Sequence, residues 1–250
     1  MLTEERHQTI LNALKECGTI KIQDLVELTN ASESTIRRDL SQLEQERFLK
    51  RVHGGASKLQ VKLKEMTVSE RSTKNVHEKR MIAQYAANLV EENDCLFIDA
   101  GSTTIEMIPF LTQPGIVVVT NGLEQMKGLR ENGIKTYIVG GEVKPTTGAI
   151  VGSIAMDSLR NYRFDKAFLG TNGIHQEFGF TTPDPEEARI KRQSISLSRE
   201  AYILADESKF GEIAFAKISE LEEATIVTNE GIDEQYAMIF KETTVKVVQK

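Results

Sequence analysis

The sequence predicts two domains of different fold, a small N-terminal winged helix-turn-helix (α+β) followed by a larger α/β Rossmann-like domain. Up to about residue 58, short helical patterns precede one pair of strands. From about residue 77 onward, apolar strand segments alternate with helices, which is typical of a parallel sheet. We therefore predict a small domain over 1–58, a connection over 59–76 and a larger domain over 77–250.

Composition limits the class of protein before any motif is considered. Of the 250 residues, 40% are hydrophobic and 27% charged, as in ordinary globular proteins. No apolar run is long enough to cross a bilayer, and the first residues lack the profile of a signal peptide, so we expect a cytoplasmic protein with no membrane partner. Cys17 and Cys95 lie far apart in sequence, and we expect no disulfide framework, no metal and no cofactor.

The charge changes sign along the chain. Residues 1–80 hold 15 Lys and Arg against 12 Asp and Glu, which leaves 16 against 25 for residues 81–250. The segment 47–64 has six cations and no carboxylate. Such a basic segment suits a polyanion, although a solvated charged surface would have the same composition.

Apolar spacing predicts three helices in the small domain. The first spans about 3–16 and the second about 23–28, and a tight turn then leads to a third over 33–46, capped by Ser32. We place the helix-turn-helix itself at 20–39.

The third helix has an outer face that suits DNA. Its apolar residues form one stripe, which leaves hydroxyls and two arginines on the opposite side. In a major groove, arginine binds guanine O6 and N7, and serine reaches phosphates or base edges. The candidate contacts are Ser34, Arg37, Arg38 and Ser41. Because any amphipathic helix has a polar face, a helix-turn-helix module that only binds another protein remains an alternative.

A basic hairpin follows this helix. Residues 49–53 alternate apolar and polar side chains, Gly54-Gly55 supplies a turn, and 56–59 returns as a second strand. Beside a groove-facing helix, the cations Lys50, Arg51 and Lys58 would lie against phosphates. We expect the two arginines of the helix and this wing to stand clear of carboxylates, which argues against the inert module.

Apolar runs predict the larger domain's sheet. Strands covered on both faces have nearly continuous apolar sequences, and the helices at about 123–131, 153–161 and 185–198 would cover them. The predicted strands are 95–99, 116–120, 135–139, 166–170, 202–205, 225–228 and 245–248.

Small polar residues cluster where these strands end, which is where ligands bind in such sheets. After the first strand, the segment 99–104 combines a glycine turn and hydroxyls with a helix N-terminus, an arrangement that favours phosphate. The other strand ends supply small polar groups and one lysine, which suits a phosphorylated polyol. The candidates from both sources are Asp99, Gly101, Ser102, Thr103, Thr104, Thr120, Asn121, Gly140, Gly141, Asn172, Gly173, Asp206 and Lys209. A solvated lysine and turn-capping asparagines are the alternatives for Lys209, Asn121 and Asn172.

Residues 3–58 resemble the DNA-binding domain of the DeoR family of bacterial transcription regulators. The family's Ser-x-x-Thr-[Ile/Val]-Arg-Arg-Asp-Leu-x-x-Leu-Glu motif and its Arg-x-His-Gly-Gly-Ala ending match Ser32, Thr35, Ile36, Arg37, Arg38, Asp39, Leu40, Leu43, Glu44, Arg51, His53, Gly54, Gly55 and Ala56. The departures are Arg47, where the family usually has glycine, and Ala31, where valine is commoner. The resemblance adds Ser32, Thr35 and His53 to the candidate DNA contacts.

Residues 77–230 resemble the DeoR-family effector domain, whose fold is of the ribose-5-phosphate-isomerase type and which binds sugar phosphates. The matching positions include the candidates above, together with Asp165, Lys166, Glu187, Lys191 and Ser208, and the resemblance adds Glu187 and Lys191 to the candidate effector contacts. The segments 74–79, 143–147 and 181–184 look most like fructose-operon repressors. That subfamily implies fructose 1-phosphate as the inducer.

We therefore expect a repressor of a fructose-utilisation operon that a sugar phosphate releases from operator DNA. Each chain offers one recognition helix, whereas operators generally have two half-sites, so we expect a homo-oligomer. A sugar-phosphate isomerase is the alternative from another class. The related isomerases carry Asp-Gly-Ala-Asp-Glu after the strand that here ends Gly170-Thr171-Asn172-Gly173, and the acids of that segment are absent. Whether Lys74 and Lys79 reach the ligand is left open.

Overall fold

The computed structural model describes residues 2–17, 19–45, 48–52, 54–58, 67–232, 236 and 239–248. The chain divides into two compact units, Met1–Val61 and Lys62–Lys250. Arg47 and His53 lie outside the described residues, as do 59–66 of the predicted connection and the side chain of Lys58.

The smaller unit contains the three predicted helices, α1 (Thr3–Cys17), α2 (Ile22–Thr29) and α3 (Glu33–Gln45). Asn30 ends α2 in the left-handed conformation, with φ of 56°, which makes the tight turn between α2 and α3. The Ser32 hydroxyl accepts a 3.3 Å hydrogen bond from the Thr35 amide and so caps α3. The apolar stripes meet in one core of Ile10, Leu14, Ile20, Ile22, Leu25, Ile36, Leu40, Leu43, Leu49 and Ala56.

The wing is a three-stranded antiparallel sheet rather than a hairpin alone. Strands β2 (Leu49–Val52) and β3 (Gly55–Lys58) are the predicted pair, and β1 (Thr19–Lys21) lies on the other side of β3. Three residues are too few for alternation to reveal β1 in the sequence. A Cβ at Gly55 would lie 2.1 Å from the Ile20 carbonyl oxygen, so β1 can approach only because this position is glycine.

A buried carboxylate joins α1 to α3. Asp39 is 3% exposed and accepts hydrogen bonds from Arg6, at 3.0 Å from Nη2, and from His7 at 3.3 Å. Burial alone would raise the pKa of Asp39, but Arg6 and His7 outweigh burial and hold it below its ordinary value. This motif residue therefore stabilises the unit from inside rather than facing outward.

The larger unit is built on a seven-stranded parallel sheet that contains all seven predicted strands. Its strands are β4 (Cys95–Ile98), β5 (Val117–Thr120), β6 (Lys135–Ile138), β9 (Phe164–Gly170), β12 (Ser198–Leu204), β14 (Thr225–Asn229) and β15 (Val245–Val248). Their spatial order is β15-β14-β12-β9-β4-β5-β6. Shorter strands, which the sequence did not predict, form the pair β7 (Glu142–Val143) and β8 (Ile150–Val151) and the sheet of β10 (Gly173–His175), β11 (Gly179–Thr182) and β13 (Ala216–Ser219).

Helices cover both faces of the parallel sheet, and a separate apolar core lies on each face. The helices are α4 (Val68–Ser72), α5 (Val76–Ala87), α6 (Leu123–Glu131), α7 (Ser153–Leu159), α8 (Pro185–Ser196) and α9 (Ile239–Glu242), with 3₁₀ helices at Thr104–Phe110, Glu207–Lys209 and Leu221–Glu223. Helix α4 differs from expectation, because it falls within the predicted connection. Thr67 and Glu70 form a capping box at its start, so residues 67–76 are folded and belong to the larger unit.

The order of the strands fixes where a ligand can enter. After β4 the chain adds β5 and β6 on one side, and from β9 onward it adds strands on the other side. The loops that follow β4 and β9 therefore diverge, and a crevice opens between them at the carboxyl ends of these strands.

Candidate functional sites

The outer face of α3 presents the predicted DNA contacts. Ser34, Arg37 and Arg38 are exposed, Thr35 and Ser41 are half-buried, and Ser32 is exposed at the start of the helix. The Ser32 hydroxyl lies 2.9 Å from that of Ser34 and 2.8 Å from that of Thr35. The structure thus brings three hydroxyls and two guanidinium groups together on one solvent-facing surface.

Arg37 is paired with a carboxylate, contrary to the expectation that this face stands clear of acids. Its Nη2 lies 2.6 Å from Glu33 Oε1. The reason is helical geometry, since residues four apart lie on the same side of a helix. Further along α3, the Glu44 carboxylate accepts a 2.7 Å hydrogen bond from the Arg51 amide of the wing.

The wing is attached to α3 by Arg51. Its backbone amide donates a hydrogen bond to Glu44, and its side chain donates from Nη1 to Ser41 Oγ at 3.0 Å. Lys50, its neighbour on β2, is half-buried. Part of the predicted phosphate-binding wing therefore also fixes the position of the wing beside the helix.

The larger unit contains a cavity of about 460 Å³ in the crevice between the β4 and β9 loops. The residues that line it come from the β4 loop, the β9 loop, α8, the 3₁₀ helix Glu207–Lys209 and the segment around α4 and α5. Among the described residues, its charged lining consists of Arg71, Lys74, Lys79, Glu187, Lys191, Asp206, Lys209 and Glu212. Five cations against three carboxylates favour an anionic ligand, and Pro183, Leu204, Ile213 and Ala214 add an apolar wall.

Asp99 organises the floor of the cavity. One carboxylate oxygen accepts from the Gly101 amide at 2.9 Å and from Thr104 Oγ1 at 2.8 Å, and the other accepts from the Gly170 amide at 2.8 Å and from Lys191. A Cβ at Gly101 would lie 2.8 Å from Asp99 Oδ1, so the tight loop requires glycine there. Asp99 is 1% exposed and ties the β4 and β9 loops together beneath the cavity.

Two cations approach the β4 loop from α4 and α5. Lys79 is 5% exposed and donates to Ser102 Oγ at 3.1 Å and to the Arg71 carbonyl oxygen. Burial lowers the pKa of Lys79 below its ordinary value. The positive charges of Lys209 and Arg71 lower it further, whereas the negative charge of Asp206 raises it. Within the described part of the chain, the buried Nε and Nη2 atoms of Arg71 have no hydrogen-bond acceptor. These donors suit the oxygens of a bound phosphate.

Asp206 provides acceptor capacity on another wall. It is 1% exposed, and its Oδ1 accepts from Asn75 Nδ2 at 2.9 Å and from the Ser208 amide at 3.1 Å. Its Oδ2 has no hydrogen-bond donor among the described residues, and Lys209 Nζ lies 3.9 Å away. A buried carboxylate oxygen in this position suits a hydroxyl group of a polyol.

Glu187 is held at the start of α8 by a loop between β7 and β8. Its Oε1 accepts from Lys144 Nζ at 2.9 Å and from Thr147 Oγ1 at 2.8 Å. Burial would raise the pKa of Glu187, but Lys191, Lys144 and Thr147 together hold it below its ordinary value. The carboxylate is therefore charged and well satisfied.

The predicted effector residues fall into three groups. Gly101, Ser102, Thr103, Asn172, Glu187, Lys191, Asp206 and Lys209 line the cavity. Asp99 and Thr104 lie beneath the β4 loop, where they hydrogen-bond to each other. The residues Thr120, Asn121, Gly140, Gly141 and Gly173 are not among the lining residues.

The residues that lie away from the cavity have structural contacts instead. Thr120 Oγ1 donates to the Ile98 carbonyl at 2.6 Å, and Asn121 Nδ2 donates to the Ile150 carbonyl at 3.1 Å. A Cβ at Gly141 would lie 2.6 Å from the Val151 carbonyl oxygen, and one at Gly173 would lie 2.2 Å from the Glu212 carbonyl oxygen. Thr120 is the last residue of β5, and Asn121 and Gly141 follow β5 and β6. Both strands lie on the side of β4 that is away from β9.

Sequence reasoning missed Arg71 and Asn75 and left Lys74 and Lys79 open. All four line the cavity, because α4 and the start of α5 belong to the larger unit. The available signal was the capping box at Thr67 and Glu70, which predicts a helix inside the segment taken as a connection.

Among the residues that the structure describes, no group of three or more His, Cys, Asp or Glu side chains could hold a metal ion. Within the same residues, no helix is both long enough and apolar enough to span a membrane.

Comparison with known proteins identifies the family. Residues 6–61 match the DeoR-like helix-turn-helix domain, and residues 74–230 match the DeoR C terminal sensor domain. The chain is 51% identical to the "Uncharacterized HTH-type transcriptional regulator FruR" of Bacillus subtilis (strain 168), with all of both chains covered. It is 34% identical to the "Lactose phosphotransferase system repressor" of Staphylococcus aureus (strain NCTC 8325 / PS 47), over 99% of this chain and 100% of that protein.

Among solved structures, ribose 5-phosphate isomerase A from Methanocaldococcus jannaschii matches 55% of each chain with a TM-score of 0.42 and 17% identity. These two full-length relatives are named as a transcriptional regulator and as a repressor. The chain belongs to the DeoR family of DNA-binding transcriptional regulators, with a helix-turn-helix domain followed by a sensor domain.

Proposed function

We propose that this regulator represses a sugar-utilisation operon, and that a sugar phosphate bound in the cavity of the larger unit releases it from operator DNA. The observation that carries the proposal is the composition of the cavity. It combines the hydroxyls of Ser102 and Thr103 and buried cations with the acceptor atoms of Asn172 and Asp206, at the fork between β4 and β9. A phosphate group requires the hydroxyls and the cations, and the hydroxyl groups of a polyol require the acceptor atoms.

The effector has two ends in this proposal. Its phosphate lies at the β4 loop, where Lys79 and Arg71 supply charge. Its hydroxyl groups point toward Asp206 and Asn172, and its carbon skeleton lies on the apolar wall. We expect Asp99 and Thr104 to act by shaping the loop rather than by touching the ligand.

Fructose 1-phosphate is our candidate for the effector. The resemblance of segments 74–79, 143–147 and 181–184 to fructose-operon repressors supports it, and one of these segments supplies Lys144, which holds Glu187. The comparable protein from S. aureus is named for the lactose phosphotransferase system, so membership of the family does not by itself identify the sugar. The proposal is therefore specific to this chain's cavity.

Operator release measured across a panel of sugars tests the proposal. A labelled duplex from upstream of the chain's own gene is bound by the protein, and fructose 1-phosphate, fructose 6-phosphate, ribose 5-phosphate and free fructose are titrated in. We expect fructose 1-phosphate to release the duplex at the lowest concentration and free fructose to have no effect. Release by free fructose alone, or by none of the four, contradicts the proposal.

Cavity variants connect this release to the site. Thr103→Val removes one hydroxyl and Lys209→Ala removes one cation, and both should leave operator affinity unchanged. Each should raise the effector concentration needed for half-release about tenfold or more, since a hydrogen bond to a charged group contributes about 1.5–3 kcal/mol. Lys127→Ala is the matched control, because Lys127 is exposed on α6 and does not line the cavity. If Lys209→Ala and Lys127→Ala require the same effector concentration for half-release, the effector does not bind beside Lys209.

The DNA contacts are proposed on the same basis. Ser32, Ser34, Thr35, Arg37, Arg38 and Ser41 would face the major groove, and Lys50, His53 and Lys58 the phosphates. Arg51, the remaining predicted phosphate contact, would instead hold the wing against α3 through Ser41. We expect Arg37→Ala combined with Arg38→Ala to weaken binding to the upstream duplex at least tenfold, since each good base contact is worth about 1–3 kcal/mol. Unchanged binding in a gel shift would show that this face does not read DNA.

We also propose that the protein binds operator DNA as a dimer or a larger homo-oligomer, because one recognition helix reads one half-site. Light scattering after size exclusion, at the concentrations used for DNA binding, should give at least twice the chain mass of 28.0 kDa. A monomer throughout that range would contradict this part of the proposal.

A further inference from the structure

Glu33 and Arg37 form an ion pair in the middle of the surface proposed to read DNA. Both the Nε and the Nη2 of Arg37 donate to the same carboxylate oxygen, Glu33 Oε1, at 3.0 and 2.6 Å. The side chain of Arg37 is 52% exposed and that of Glu33 is 60% exposed, and both residues belong to the first half of α3. An acid in the first turn of a helix is favoured by the helix dipole, but on this surface it also repels the phosphates that the neighbouring cations would attract.

Besides this helix-dipole role, Glu33 occupies one donor edge of the Arg37 guanidinium group. Arginine has two donor edges, a side edge formed by Nε and one Nη atom and an end formed by the two Nη atoms. Glu33 takes the side edge of Arg37, which leaves Nη1 and the second Nη2 hydrogen at the end. That end matches the O6 and N7 atoms of guanine in the major groove.

The pair is weak as a source of stability. Exposed ion pairs between residues four apart stabilise a helix only slightly, so the pair changes the fold little whether it is present or absent. It does restrict a long, flexible side chain to one direction before DNA arrives, and a restricted side chain loses less freedom on binding. The carboxylate thus lowers attraction to any duplex while favouring one base contact.

We propose that Glu33 is a positioning residue that orients Arg37 toward one guanine in each operator half-site. This inference rests on the placement of α3 in the major groove proposed above. Its distinctive consequence is that removal of the carboxylate has opposite effects on two quantities. Affinity for unrelated DNA rises, and discrimination at one base pair falls.

Selection of bound sequences from a randomised duplex pool, with the full chain at one fixed salt concentration, tests the proposal. Arg37→Ala identifies the position that Arg37 reads, where we expect guanine preference to fall about tenfold or more. Glu33→Ala should reduce the preference at that same position about twofold and leave the other positions unchanged, since an exposed pair of this kind is worth about 0.2–0.5 kcal/mol. Affinity for an unrelated duplex should rise about twofold, because one exposed negative charge near the phosphates has been removed.

Two controls separate contact from charge. Glu33→Asp keeps the charge but is one methylene shorter, so a contact effect predicts the weakened preference of Glu33→Ala, and a purely long-range effect predicts wild-type behaviour. Glu27→Ala removes an exposed carboxylate from α2 and should change neither the selected sequence nor the preferred base. Retention of full guanine preference by Glu33→Ala, or wild-type behaviour of Glu33→Asp, overturns the inference. If the wild-type chain selects no sequence at all, the proposed DNA reading fails instead.

Discussion

The two units of this regulator use charge in opposite ways. In the smaller unit, Arg37 and Arg38 are exposed on α3. In the larger unit, Lys79, Lys191 and Asp206 are at most 7% exposed and line a cavity. Exposed charges suit a polymer that approaches from solvent, where much of the affinity comes from released counterions and falls with salt. Buried charges suit a small anion that becomes enclosed, where screening by salt is weak.

Each unit also contains a buried aspartate whose carboxylate accepts hydrogen bonds from within that unit. Asp39 joins α1 to α3 through Arg6 and His7, and Asp99 joins the β4 and β9 loops through two amides, Thr104 and Lys191. Both were prominent in the sequence because they lie inside motifs. The comparison indicates that a motif carboxylate next to a binding surface can serve by holding that surface in shape.

The largest effect is expected from Asp99→Ala. The change removes the carboxylate that accepts a hydrogen bond from the buried Lys191, and removal of one member of a buried ion pair costs about 3–5 kcal/mol. The larger unit should lose hydrogen-exchange protection in β4 and β9, and effector-driven release should disappear. Protection in α1 and α3 should be unaffected. Loss of protection in both units would mean that the two do not behave as separate folding units.

Asp39→Ala should produce the complementary result at a somewhat smaller cost. Hydrogen bonds between charged groups contribute about 1.5–3 kcal/mol, and Arg6 and His7 retain some access to solvent. Because the pKa of Asp39 is lowered by folding, its contribution is present above the ordinary aspartate value of about 3.9 and is lost as the pH falls through the lowered value. Exchange protection of α3 should therefore decline below about pH 4 in the wild type. In Asp39→Asn this decline should be smaller, and an equal decline would assign the acid sensitivity to other groups.

The sequence was informative where a pattern is local. The outer face of α3, all seven strands of the main sheet and the β4 loop were predicted, because period, capping and turn residues lie close together in the chain. The cavity was predicted less completely, because its walls come from distant segments. Arg71 and Asn75 were missed since α4 lay inside the supposed connection, and Thr120 and Gly140 were included because every strand end was treated alike. Strand order decides which ends meet, and no local pattern contains it.

The pH dependence of effector binding tests whether the buried amine of Lys79 contacts the phosphate. Its pKa lies below the ordinary lysine value of 10.5 because it is buried, so part of its charge is lost as the solution becomes alkaline. A bound phosphate favours the protonated amine, and the affinity for fructose 1-phosphate should therefore fall as the pH rises from 7 to 10. Calorimetric titration measures this fall. Lys79→Arg stays charged across the range and should flatten the profile, whereas an unchanged profile would assign the loss to another cavity group.

The smallest expected effect concerns the wing, where exposed and internal roles meet in one residue. Arg51 contacts Ser41 at 3.0 Å, so it either touches a phosphate or holds the wing against α3, and the two roles give different salt dependence. Arg51→Ala should weaken operator binding about three- to fivefold. The change removes one hydrogen bond to a neutral acceptor, and the hydrogen bond from the backbone amide of residue 51 to Glu44 remains.

If Arg51 neutralises a phosphate, the slope of log affinity against log salt should fall by about one. If it only holds the wing, the slope stays constant, and Ser41→Ala with Arg51→Ala gives a coupling of about 0.5–1 kcal/mol in a double-mutant cycle. We expect the coupling together with an unchanged slope, because the guanidinium group already lies against α3. A reduced slope without coupling would contradict this expectation and show that Arg51 contacts a phosphate, like the other cations predicted for the wing.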